Sequence, residues 1–111
     1  MNNLRQANLI ALKVTEKFDN EIKPKLEKLN YGQAFLNEMK RARNLANRNA
    51  RKLKRMTFTE SDQKQVDLLI ASLEKFGKAF DHLYRRENAE AQRLEMEAAR
   101  LYSEFERRFS E

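Results

Sequence analysis

The chain has no cysteine and no tryptophan, and only one proline, one histidine and two glycines in 111 residues. Without cysteine there is no disulfide framework, no thiolate metal site and no thiol nucleophile, which fits a reducing, cytoplasmic setting. So little glycine and proline leaves too few turn residues for an all-β protein with many short connections. No stretch approaches the ~18 uninterrupted apolar residues that a membrane span needs. The opening "MNNLRQANLIALKVTEKF" meets charges too early for a signal peptide. His82 has no second histidine or cysteine with which to build a typical zinc site, and no Ser or Asp spacing completes a triad around it. The glutamates of residues 87–106 lack the Glu-x-x-His pairs of carboxylate di-metal bundles. "GQAF" and "GKAF" are too poor in glycine to cradle a phosphate. No catalytic residue, metal site or cofactor is therefore assigned, and no enzyme is expected.

Charge is what the chain has in quantity. Lys and Arg number 23 against 17 Asp and Glu, for a net charge of +6. The excess is local: residues 31–56 hold eight bases against Glu38 alone, whereas residues 87–111 hold seven acids against four arginines. Within the basic segment, "KRARNLANRNARKLKR" (residues 40–55) is half Lys or Arg, carries three asparagines and has no acid. Positive charge concentrated on one element points to an acidic partner rather than to general solubility.

Apolar residues recur at helical spacing along nearly the whole chain. Leu4, Ala7, Ala11, Val14, Phe18 and Ile22 form one stripe, continued by Leu26 and Leu29 and widened by Leu9, Ile10 and Leu12. Pro24 lacks an amide hydrogen and crowds the preceding turn, so it should kink or divide this helix near residues 20–23. "NYGQ" (residues 30–33) reads as a boundary, with Gly32 free to take a positive φ and Asn30 and Gln33 at capping-box spacing. Phe35, Met39, Ala42, Ala46, Asn49, Leu53 and Met56 then step by four and three, with Asn49 the polar member that fixes register or stays partly exposed. Thr59, three residues before Asp62, is placed to cap the next helix, which runs through Val66, Leu69, Leu73, Phe76, Phe80 and Leu83. The seam resumes at Ala91, Leu94, Ala98, Leu101 and Phe105 after a phase slip of eight residues. Since no Gly or Pro marks residues 85–88, the spacing favours a continuous helix with a stutter over a turn before Asn88.

The expected fold is all-α: one domain spanning residues 1–111, an antiparallel bundle of three long helices, the first kinked at Pro24. Its C-terminal part is either a helical, coiled-coil extension or a fourth helix. The helices should cover about 3–29, 33–56, 60–85 and 86–109, the last two possibly continuous. Tyr102, Phe105 and Phe109 cluster near the end and suggest a homo-oligomer or partner contact through the C-terminal helix.

On a helical wheel of about 100° per residue, the basic segment separates into two faces. Phe35, Met39, Ala42, Ala46, Ala50 and Leu53 share one side; Lys40, Arg41, Asn44, Arg48, Arg51, Lys52 and Arg55 share the other, flanked by Arg43 and Lys54. Arginine presents a planar fork of donors to phosphate oxygens, and asparagine pairs with an adenine edge in a major groove. The expectation is therefore a nucleic-acid-binding helix using these seven residues: Arg41, Arg48, Arg51, Lys52 and Arg55 supply the charge, Lys40 stands at the margin and Asn44 is placed to touch bases, with DNA and RNA both open. "KRARN" followed by "ARKLKRM" resembles the basic region of leucine-zipper transcription factors. Counting from Asn47, Ala50 and Arg55 match the pattern Asn-x-x-Ala-Ala-x-x-Ser/Cys-Arg, but Arg51 and Lys54 depart from it. No uninterrupted leucine heptad follows, so the family's properties are not carried over. The alternative is an interaction module, an adaptor, chaperone or inhibitor, whose basic face docks on an acidic protein. The C-terminal glutamates, Glu87, Glu90, Glu95, Glu97, Glu104 and Glu106, are also available to neutralise the basic helix within the chain. A membrane surface is not expected, since the apolar face is alanine-rich and needed for the core.

Overall fold

Where apolar side chains step by three and four, the chain forms helices. A computed structural model describes residues 3–30 and 32–110; it contains α1 (Asn3–Lys17), a wide π-helical turn (Phe18–Ile22), α2 (Lys23–Lys28), α3 (Gln33–Lys54), α4 (Glu60–Tyr84) and α5 (Asn88–Ser110). The molecule is an all-α bundle, and no strand occurs among the described residues. Its extents are 44 × 24 × 23 Å, the proportions of rods lying side by side.

The expected break before Pro24 is the π-helical turn. Lys23 N–H reaches back five residues to the Phe18 carbonyl, and the slack of one residue absorbs a proline that cannot extend an α-helical ladder. Phe18, at the start of that turn, packs edge-to-face on Phe76 (centroids 5.0 Å apart, planes at 86°) and against Phe80 at 5.8 Å. Phe76 and Phe80 meet edge-to-face as well, at 4.9 Å. Such pairs add about 0.5–1.5 kcal/mol each beyond the area they bury. They tie the kinked first helical segment of the bundle to α4.

α4 is the spine, with α3 packed along one side and α5 along the other. Against α3 the fit depends on Gly77: a Cβ there would stand 2.3 Å from Asn47 Oδ1 and 3.1 Å from its Cγ. Glycine in this helix therefore makes room for the Asn47 side chain. Against α5 the buried Ser72 hydroxyl donates to the Ala98 carbonyl at 2.7 Å. α1 runs antiparallel to α3, with Asn3 Nδ2 donating to the Thr57 carbonyl at one end and Glu21 near Arg41 at the other. The shared core takes Ala7, Val14, Ile22, Leu53, Val66, Leu69 and Phe105, all at or near zero exposure.

Four expectations need correction. The first concerns residues 85–88, where the helix does not continue. Arg86 takes φ 62°, Arg86 N–H bonds the Leu83 carbonyl, and Glu87 N–H bonds the His82 carbonyl. This is a Schellman ending with arginine in the left-handed position usually held by glycine. α5 then folds back along α4 as a fourth helix.

The second correction concerns the C-terminal aromatics. Phe105 is fully buried, and Tyr102 and Phe109 are partly buried against the same core, so much of the aromatic surface that suggested a partner contact is covered within the chain. The third concerns the start of α3. Its N-cap is Gly32, whose backbone is extended (φ −177°), with no side-chain cap; the positive φ and the Asn30–Gln33 capping box are absent, and Tyr31 lies outside the described residues. The last concerns Leu9 and Leu12. They do not widen the buried stripe of α1, each remaining 43% exposed.

The remaining local signals hold. Thr59 Oγ1 accepts from the Asp62 amide at 3.2 Å and caps α4. Asn49 is half-buried, its amide donating to the Leu45 carbonyl one turn back.

Candidate nucleic-acid interface

α3 owes its two faces to composition. Three alanines at four-residue intervals, Ala42, Ala46 and Ala50, let the helix lie close to its neighbours, and Met39, Leu45 and Leu53 complete its buried side. The other side faces water. The charges on it are not equivalent, however, and the structure divides them into two groups.

The N-terminal group is engaged. Arg41 stands 3.6 Å from both Glu21 and Glu38, and Lys40 Nζ lies 5.3 Å from the centroid of the exposed Tyr84 ring, over its face. Arg43 forms an ion pair with Asp81 at 3.0 Å and also donates to Asn44 Oδ1, occupying the acceptor of the one asparagine proposed to touch bases. Near the other end, Lys54 is held by Glu74 at 2.9 Å. Arg43 and Lys54 thus serve as struts between α3 and α4.

The C-terminal group is Arg48, Arg51, Lys52 and Arg55. All four are exposed, and none of their side chains has an ion pair or hydrogen bond to another described residue. They span about 10 Å of helix axis at 1.5 Å per residue. Arg48 with Arg51 and Lys52, and Arg55 with Arg51 and Lys52, stand three or four residues apart, so like charges face each other at about 0.2–0.5 kcal/mol per pair. The carbonyl end of the α3 dipole offsets part of this repulsion for Arg51, Lys52 and Arg55. An external polyanion would offset the rest.

The chain's own acids do not do so. On α5, Arg93 binds Glu90 and Glu97, Lys75 reaches Glu97 at 3.1 Å, and Glu104 lies between Arg100 and Arg108. Glu87 stands 3.4 Å from His82 Nδ1. The Arg93 hydrogen bond holds the Glu90 carboxyl below its ordinary range, and the Lys75 hydrogen bond does the same for Glu97. α3 and α5 flank α4 without close backbone approach, and the ion pairs named here on α5 draw on α4 and α5 alone.

Among the described residues no His, Asp and Glu group could hold a metal ion, and no helix is long and apolar enough to cross a membrane. Comparison with protein-family models, with curated proteins and with solved structures finds no match for this chain.

Proposed function

We propose that this chain is a non-enzymatic nucleic-acid-binding protein that grips phosphates through Arg48, Arg51, Lys52 and Arg55. Lys40, Arg41 and Asn44 stand beside this patch on the same face, but each already has a partner within the molecule. The observation that carries the proposal is a run of four exposed cations left without acids, on a helix where Arg41, Arg43 and Lys54 each have one. Arginine forks aimed at water along one helix suit the regularly spaced oxygens of a sugar–phosphate backbone. With Asn44 occupied by Arg43, base reading has little support, and binding should depend weakly on sequence.

The test is a titration against random duplex, single strand and RNA at several salt concentrations. Four neutralised phosphates give a slope of log K on log[salt] of about −3.6 for duplex and about −2.8 for single strands. A flat response, or no binding at low salt, ends the proposal. Protein–protein docking of the same cations on an acidic surface is the competing use. It would appear as a partner retained in a pull-down after nuclease treatment and lost on reversal of Arg48, Arg51 and Arg55.

A further inference from the structure

In a closed four-helix bundle the first and last helices meet. Here α1 and α5 do not come into close backbone contact, and a cleft of about 350 Å³ lies between them, floored by α4. Its floor and inner walls are apolar, including Val14, Phe18, Leu73 and Phe76. It is lined along residues 11–19 of α1 and its π-helical turn and along residues 95–103 of α5, each about 12 Å of helix.

Three features identify what fits. Leu9 and Leu12 on α1 and Met96 on α5 (74% exposed) are three of the four large apolar side chains the described molecule leaves open. Wheel positions place Leu12 and Met96 on the outer shoulders of the two helices that wall the cleft, so its apolar character extends beyond its mouth. Second, the charged residues lining it are Asp19 and Glu95, on opposite walls, and no Lys, Arg or His lines it. Neither carboxylate has an ion-pair or hydrogen-bond partner among the described residues, in a chain with 23 Lys and Arg. Glu95 is open to water at its edge, yet partial burial against the cleft pushes its carboxyl above the ordinary range, as expected for an anion lacking a counter-charge. Third, the length matches: apolar anchors at i, i+3, i+4 and i+7 of a bound helix cover about 10.5 Å.

We propose that the cleft between α1 and α5 is a docking groove for a basic amphipathic helix of a partner protein. Apolar anchors would fill it over Phe18 and Phe76, and Lys or Arg on both flanks would meet Asp19 and Glu95. The partner helix covers the cleft that α1 and α5 leave between their backbones, where Thr15 and Tyr102 are hydrogen-bonded from opposite walls. A second copy of this chain does not fit through its cationic face, because from Asn37 onward the exposed residues of α3 are Asn, Lys and Arg, with no apolar anchor to insert. The groove is separate from Arg48–Arg55, so nucleic-acid binding and helix docking stand or fall independently.

The probe is a helical peptide with leucine at i, i+3, i+4 and i+7 and lysine on both flanks, titrated into isotope-labelled full-length protein followed by amide NMR. The expected result is saturable shifts confined to residues 11–19, 72–76 and 95–103. A peptide of the same composition with the leucines scattered should bind at least tenfold more weakly. Asp19→Lys with Glu95→Lys, both exposed and compatible with the fold, should weaken binding at least tenfold while leaving other amides unshifted. Equal binding by the scattered peptide, a response spread over other helices, or no shift at millimolar peptide would overturn the proposal. So would shifts at these same residues on simple dilution of the free protein, which would assign the groove to a second copy.

Discussion

The outward faces of α3 and α5 are both densely charged, yet they handle charge in opposite ways. α5 alternates signs at helical spacing, so Glu90, Arg93 and Glu97, and further on Arg100, Glu104 and Arg108, close their ion pairs along the helix. From Arg48 onward α3 carries one sign, and its single acid, Glu38, sits near the other end. Net charge alone would not separate a self-sufficient surface from an open one; the difference is whether each charge meets its opposite within one turn. Exposed pairs of the α5 kind contribute little to stability, typically below about 1 kcal/mol each. Their consequence is that the paired charges of α5 offer little to a partner, leaving Glu95 at the cleft as the exception.

The strongest way to break the contrast is charge reversal on each face. Arg48, Arg51 and Arg55 changed together to Glu should lower affinity for duplex DNA or RNA on the order of a hundredfold. The helical fold should be kept and Tm should move by only a few degrees, since reversal relieves the repulsion with Lys52 but opposes the carbonyl end of the α3 dipole. The matching reversal of Arg93, Arg100 and Arg108 should do the opposite: lower Tm, read by circular dichroism, with nucleic-acid affinity held or reduced by far less. Similar affinity losses from both triples would show that only total charge matters and would remove the patch.

The seats of the two helices on α4 give effects of intermediate size. Ser72→Ala removes the hydroxyl that joins α4 to α5 and should cost about 1 kcal/mol in chemical denaturation. At the α3 seat, Gly77→Ala should destabilise the wild type by driving into Asn47. In an Asn47→Ala background the same change should stabilise by up to about 1 kcal/mol, the gain of alanine over glycine in a helix. Additive behaviour across that cycle would show that the Asn47–Gly77 contact does not govern how α3 lies.

The smallest effects are two pH dependences of opposite sign on one helix. Glu97, held low by Lys75, stabilises above its ordinary pKa of 4.5, and that contribution fades as pH falls through the lower folded value. Glu97→Gln should therefore have a lower Tm than wild type at neutral pH, with the gap closing in acid. Glu95, pushed up by burial, is least favourable when ionised, so its penalty grows as pH rises above 4.5. Glu95→Gln should have the higher Tm at neutral pH and the same Tm in acid. Parallel behaviour of the two variants would remove the distinction between a paired and an unpaired carboxylate.

How far these features could be read in the sequence depends on their range. The seams of α3, α4 and α5, the cap at Thr59 and the break before Pro24 are local, and residue types at fixed spacing announce them. The cationic face of residues 48–55 was legible too, but which of its charges stay unpaired was not, since the C-terminal glutamates were equally available to it. Arg43 and Lys54 look like flanking cations until α4 brings Asp81 and Glu74 beside them. The groove was invisible, since nothing on α1 or α5 says that they will stand apart. Aromatic clustering at residues 102–109 pointed to a partner, but it does not separate such a contact from packing on the chain's own core, where Phe105 is fully buried.

A left-handed arginine at the α4–α5 corner departs from backbone preference, since residues with a Cβ disfavour that conformation by about 1–2 kcal/mol. Left to local forces, residues 60–110 would lie straight as one rod. The jackknife is held shut from a distance, by Leu94, Leu101 and Phe105 finding cover. Whatever loosens that cover also releases the hinge, and the third dimension of the domain rests on it.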